Sequence, residues 1–377
     1  MLTVKEAEIK LNELIPNDIR VLSNLFKSNN HNLFLVGGAV RDVLLNKLPK
    51  DFDVATDANP DEIQKILIDA DIKQQSQGVD FGVIVAKMSE DIEIATFRTD
   101  ESNDSGEMKD ISVKFGVTIE EDVNRRDLTI NGLFFDISKK QIIDLIGGID
   151  DLKNGIIRTI GKPEDRFKED NLRKLRAVRF ASRLGFKLDN ETLNAIRRDP
   201  SLNVSDHRIV NELENSFNKT KSVHSLIDLL VDTQLCDVIF KSTFIRDVSM
   251  FLNDITFSEF VFLFVKDFND KDIIKTLSDL CFSSNVIDTC VFLKKLEDDL
   301  NNNNDINPLL FHKTVTRLKI DDIKVIDDFG LTLNWLMNFK PDKDLVQKLM
   351  ADGFVGKALG IELERININK FKNRFDD

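Results

Sequence analysis

Cysteine and histidine are scarce in this chain. Three cysteines (Cys236, Cys281 and Cys290) and four histidines occur among 377 residues. The odd cysteine count and wide spacing argue against a disulfide framework and point to buried thiols in a reducing, cytoplasmic setting. No histidine has metalloprotease or zinc-finger spacing, so a structural zinc site is not expected. Long apolar runs are missing too: the longest near the middle, Phe260 to Val265, has six residues, far short of a membrane span. The N-terminal MLTVKEAEIKLNEL alternates charged with apolar residues and reads as an amphipathic helix, not a signal peptide.

Glycine and proline are absent from long stretches of the second half. Twelve of the 16 glycines lie at or before Gly185, none falls from Phe186 to Phe329, and no proline lies between Pro200 and Pro308. Glycine marks turns and close backbone approaches. The pattern therefore predicts an α/β N-terminal half followed by a long all-α half. Positive charge is also in deficit, with a net charge of −13. That weighs against a nucleic-acid partner overall. Charge is local, however: residues 162 to 187 carry nine Lys and Arg against four Asp and Glu. Hydrophobic content of 42% and charged content of 31% are those of an ordinary soluble protein.

Several elements are readable. NLFLVGG (32–38) is a strand entering a glycine turn, and AVRDVLLN (39–46) a helix. DFDVAT (51–56) alternates as a strand, and Asn59-Pro60 starts a helix. FGVIVAKM (81–88) and DIEIATF (91–97) read as paired strands. Residues 99–115 read as a polar, irregular, mobile loop. GGID and KNG (147–155) read as punctuation between the strands QIIDLI and IIRTI. A helix is predicted from about Glu169 to Leu184, stopped by Gly185. Patterns such as VHSLIDLLVDTQL and TFSEFVFLFVKDF make the second half helical.

Five clusters carry chemistry. The turn Gly37-Gly38 before a helix lets backbone N–H groups approach a phosphate, with Arg41 one turn in; such a turn alone is as readily just a turn. Asp51 and Asp53, at i and i+2 of a strand, share a face and form a half-cage for magnesium. Read as spacing only, they are a solvated strand face. Phe52 between them is expected to point inward, leaving the aspartates on the face opposite the core. Glu93 on DIEIATF is either a third carboxylate beside them or a surface acid.

Arg125-Arg126-Asp127, followed by Thr129 and Asn131, suits a triphosphate and a ribose, or makes a surface ion cluster. Asp170 and Arg173, i and i+3 on one helix with Arg176 and Arg179 beyond, are either an ion pair or a base reader. An acceptor and a donor held side by side would match the edges of cytosine and adenine and reject those of uracil and guanine.

In this order the runs LVGGAVRD (35–42), KDFDVAT (50–56), EEDVNRRDLTING (120–132) and EDNLRKLRAVRFASRLGF (169–186) resemble the class II tRNA nucleotidyltransferases, the CCA-adding enzymes, and the related bacterial poly(A) polymerases. DHRIVNELE (206–214) matches more loosely. The resemblance implies a nucleotidyltransferase head (1–155), a helical neck with nucleotide-recognition motifs (156–220), and an RNA-binding helical body and tail (221–377). It implies Mg2+ on Asp51 and Asp53; Glu93, from its place on the neighbouring strand, is the expected third catalytic carboxylate. Gly37, Gly38, Arg41 and Arg126 would meet the triphosphate of CTP or ATP, Asp127 the ribose, with Asn131 beside them. Asp170 and Arg173 would read the base, supported by Arg176 and Arg179. The implied partner is the tRNA 3′ end, with no membrane and no obligate protein partner.

Three features depart from the family pattern. His207-Arg208-Ile209 stands where Glu-Arg-Ile is usual. Asn131-Gly132 replaces Asn-Ala. Neither a His-Asp phosphohydrolase signature nor a long basic tail is present. Poly(A) synthesis, addition of C or A alone, and an inactive RNA-binding homologue are the alternatives.

Overall fold

The computed structural model describes residues 1–78, 81–102, 111–241, 255–326, 329–340 and 342–374. The chain divides into two compact units, Met1–Asp199 and Pro200–Asp377.

The first unit opens with helices α1 (Val4–Leu14) and α2 (Asn17–Ser28), strand β1 (Leu33–Val36), helix α3 (Gly38–Leu44), strand β2 (Val54–Thr56) and helix α4 (Pro60–Asp69). Strands β3 (Lys73–Gly78), β4 (Val83–Lys87), β5 (Asp91–Thr96), β6 (Arg98–Ser102) and β7 (Ile111–Phe115) follow. Then come helix α5 (Ile119–Asn124), a 3-10 turn (Thr129–Asn131), strands β8 (Phe134–Asp136) and β9 (Gln141–Ile143), helix α6 (Gly148–Asn154) and strand β10 (Ile156–Ile157). Helices α7 (Pro163–Glu169) and α8 (Leu172–Leu184), strand β11 (Lys187–Leu188) and helix α9 (Asn190–Arg198) complete the unit.

Seven strands form one mixed sheet in the order β3-β4-β5-β2-β1-β8-β9. Within it β2 and β5 run parallel, with Val54 beside Ile94, while β1 pairs antiparallel with both β2 and β8. Every residue of β1 is buried, as a central strand covered on both faces requires. Phe34, Phe97 and Phe134 meet at 5.5 to 6.4 Å between ring centroids, and Val36, Ala55 and Val123 close around them. Burying such rings contributes about 2 kcal/mol or more each.

The structure corrects three expectations. Residues 98–102 and 111–115 are not irregular: they pair as an antiparallel hairpin, Arg98 opposite Phe115. The stretch 103–110 lies outside the described residues. Residues 147–155 are not two turns but a seven-residue helix, α6, held between Gly147 and Gly155, both at positive φ. The helix expected from about 169 is broken: α7 ends at Glu169, Asp170 is extended (φ −152°, ψ 107°), and α8 starts at Leu172.

In the second unit the described residues form helices from α10 (Asp206–Lys219) to α19 (Gly356–Lys372), with no strand. Its apolar centre includes Phe260, Phe262 and Phe264 of the helix Phe257–Val265. Among the described residues, no helix is long and apolar enough to cross a membrane.

Candidate active site

Asp51 and Asp53 stand just before β2 rather than within it. The pairing nonetheless continues to Asp53, whose carbonyl accepts the Val36 N–H at 3.1 Å. Extending the parallel β2–β5 register back by one residue sets Asp53 beside Glu93. Alternation puts Asp53 on the same side as Ala55, which belongs to the phenylalanine cluster. The aspartates therefore do not face away from a core, as the sequence suggested; they stand at the exposed end of a face whose continuation is buried. Phe52 is only half-buried.

Asp53 is exposed at its surface, yet its carboxyl is pushed above the usual range. Partial desolvation is the main cause, followed by the charges of Glu93 and Asp51, with Arg126 acting in the opposite sense. Asp53 thus feels the negative charges of two neighbouring carboxylates. Among the described residues no group of three or more His, Cys, Asp or Glu side chains is disposed to hold a metal ion. Magnesium does not require one: it takes one or two carboxylates and completes its shell with water and phosphate. Hard oxygen ligands whose mutual repulsion a divalent cation would relieve fit that ion.

Beside the carboxylates lies a guanidinium cradle. Gly37 has φ 63° and ψ −113°, a conformation that suits glycine, and its N–H donates to the Leu133 carbonyl at 3.0 Å. A Cβ on Gly37 would lie 3.6 Å from the Asn131 carbonyl and 3.9 Å from Arg126; one on Gly38 would lie 3.7 Å from Arg41. Arg41 is 3% exposed. It pairs with Asp42 at 2.8 Å and donates to the Asn131 side-chain oxygen at 2.6 Å. Burial lowers the Arg41 pKa, Asp42 opposes the shift and nearby Arg183 adds to it.

Arg125 and Arg126 both close on Asp122, a carboxylate with no exposed side-chain surface, at 2.7 and 2.9 Å. Asp122 also accepts the Arg98 N–H at the foot of the β6–β7 hairpin, at 3.3 Å. Arg126 lies 4.6 Å from the centre of the Phe134 ring. Sequence reading passed over Asp122. Its spacing three and four residues before the two arginines was the available signal.

Asp127 is gripped by Arg176 of α8, at 2.8 and 2.6 Å, and accepts the Leu128 N–H at 2.8 Å and the Asn131 amide at 3.3 Å. Burial by itself would raise its pKa; the Arg176 charge and these hydrogen bonds outweigh burial and hold the carboxyl below the ordinary range. Asp170 lies in the turn between α7 and α8, its side chain accepting the Leu172 N–H at 3.0 Å. Arg173 donates to Glu169 at 2.6 Å and to the Arg125 carbonyl at 3.1 Å. The helix break means that Asp170 and Arg173 share a turn and not a helix face. Arg179 is buried and stands 4.6 Å from the Phe180 ring centre. The 3-10 turn is braced from behind: Thr129 donates to Asp151 at 2.7 Å, and Arg158 joins Asp151 to Asp189 at 3.1 and 2.8 Å.

Residues 33–158 match the family described as the poly A polymerase head domain. The chain is 47% identical over 170 residues to the CCA-adding enzyme of Ligilactobacillus salivarius (strain UCC118), covering 45% of this chain and 41% of the relative. It is 39% identical over 204 residues to poly(A) polymerase I of Escherichia coli O157:H7, covering 50% of this chain and 42% of the relative. The chain thus spans less than half the length of these curated relatives. A solved structure of Thermotoga maritima CCA-adding enzyme complexed with tRNA shares the fold across 98% of this chain and 94% of that chain, with a TM-score of 0.67 and 20% identity. Residues 33–158 are therefore similar to a poly A polymerase head domain, and the chain shares sequence with CCA-adding enzymes and poly(A) polymerases over about half of its length.

Proposed function

We propose that this protein adds C and A nucleotides to the 3′ end of tRNA from CTP and ATP, without a nucleic-acid template. The observation that carries the reading is the β2–β5 register, which sets Asp53 beside Glu93 with Asp51 two residues away, next to Gly37, Gly38, Arg41 and Arg126. The names of the relatives and of the structural neighbours, CCA-adding enzymes among them, support it.

Asp51 and Asp53 hold Mg2+. Bound there, the metal supplies electrostatic activation of the attacking hydroxyl and stabilisation of the leaving pyrophosphate. Arg41 and Arg126 bind and orient the triphosphate so that the RNA 3′-hydroxyl attacks the α-phosphate in line. Asp127, held by Arg176, accepts from the ribose. Asp170 and Arg173 face the base edge, with Arg176 and Arg179 supporting them. Catalysis then rests on positioning and charge neutralisation. The helical second unit holds the RNA.

Poly(A) synthesis is the second reading, favoured by the E. coli relative. One assay separates them. The protein is incubated with tRNA lacking its last one, two or three nucleotides and with an A-rich oligomer, supplied with CTP and ATP singly and together, and product length is measured. A stop after CCA supports the main reading; long adenylate ladders overturn it.

A further inference from the structure

One aromatic ring sits among the cations of the two halves of the site. The Arg41 guanidinium, from the glycine-turn helix α3, is 5.2 Å from the centre of the Phe180 ring. Arg176 and Arg179, on the same helix as Phe180, lie 6.0 and 4.6 Å from it. Phe180 is 6% exposed, Arg41 3% and Arg179 8%. A cation near a desolvated ring face is attracted more strongly than one in water. Arg183 also belongs to the cluster, 3.8 Å from Asp42. Arg41 pairs with Asp42, and Arg176 with Asp127. Arg41 and Arg179 are buried against the ring, where a cation–aromatic contact helps offset the loss of water.

We propose that Phe180 is a positioning residue: its ring holds Arg41, on the triphosphate side, at a set distance from Arg176 and Arg179, on the base side. The ring contacts no substrate. It lets one nucleotide engage both ends of the cradle without first paying to bring the arginines together. The inference rests on the assignment of these arginines to the nucleotide.

The test replaces the ring without emptying its space. Phe180→Leu keeps an apolar side chain and removes the quadrupole. Incorporating para-fluoro- and then pentafluoro-phenylalanine at position 180 drains the ring face stepwise at nearly constant shape. Binding of CTP and ATP with Mg2+ is measured at equilibrium, and kcat and KM on tRNA lacking CCA are measured separately. The expected result is a graded loss of nucleotide affinity, about threefold for the monofluoro ring and about tenfold for the pentafluoro ring and for leucine. KM should rise with it while kcat stays within about twofold.

Weakening by leucine with no response to fluorination means simple packing and overturns the proposal. Should the leucine variant not fold, the fluorinated series decides alone. Normal nucleotide binding in every variant overturns the positioning role and leaves the proposed function standing. A wild-type protein that binds neither CTP nor ATP overturns both.

Discussion

Arg176 grips one carboxylate oxygen of Asp127 with two N–H groups, at 2.8 and 2.6 Å. This contact joins the helix that carries Arg176, Arg179 and Arg183 to the segment that carries Arg125 and Arg126. Asp127 titrates below the ordinary carboxylate range in the folded protein. A depressed folded pKa adds stability above the unfolded value, and that stability is lost as pH falls through the folded one. Asp127→Asn should therefore cost about 1–3 kcal/mol at pH 7. The difference from wild type should shrink below about pH 4. Urea unfolding at both pH values measures it; an equal loss at both would contradict the assignment.

Asp53 behaves in the opposite sense. Its folded pKa is raised, so the native state holds the proton more tightly than the unfolded chain does. Ionisation then erodes stability as pH climbs from the unfolded value through the folded one. In chelator at neutral pH, Asp53→Asn should melt above wild type, and the gap should close at acid pH. The same variant should lose nucleotide incorporation by about a thousandfold or more. A variant with near-normal activity would remove Asp53 from the metal site.

Asp122 is buried and holds two arginines and the foot of a hairpin. Asp122→Asn keeps the shape and removes the charge. Charge-assisted hydrogen bonds are worth about 1.5–3 kcal/mol, so KM for CTP and ATP should rise about tenfold to a hundredfold. Far-ultraviolet dichroism should be unchanged. An unaltered KM would show that Arg126 keeps its place without Asp122.

Gly148 packs against the 3-10 turn. A Cβ there would stand 2.3 Å from the Thr129 carbonyl oxygen, a backbone atom that cannot yield cheaply. Gly148→Ala should cost about 1–3 kcal/mol by overpacking, read as a lowered urea midpoint. Because Asn131 bonds Arg41 and Asp127 from the same turn, KM should rise as well. A stable variant with unchanged KM would separate α6 from the site.

Much of this was legible in the chain. The β1–glycine turn–α3 unit, the β4–β5 pair and the ordered motifs with their carboxylates and arginines all stand out, because apolar runs and glycine mark them. What was not legible has physical causes. The hairpin strands RTDES and ISVKF pair only with each other, so the first has no apolar face to betray it. Helix α6 is short and bounded by positive-φ glycines, which read as turns. The break at Asp170 arises where its carboxylate bonds the Leu172 N–H, a competition that helical spacing does not display. Burial of Asp122 and the clustering around Phe180 are tertiary facts, invisible to spacing.

The parallel pairing of β2 with β5 carries one last consequence, for the order in which the molecule comes into being. Val54 meets Ile94, about forty residues further on, and only that meeting brings Asp53 to Glu93. Contacts so distant along the chain close late, since the intervening loop must first surrender its entropy. An early folding intermediate would hold the glycine turn and α3 but no acidic cluster. On the proposed metal assignment, full divalent-ion affinity should appear only once the sheet has closed, so its arrival would mark the completion of the sheet.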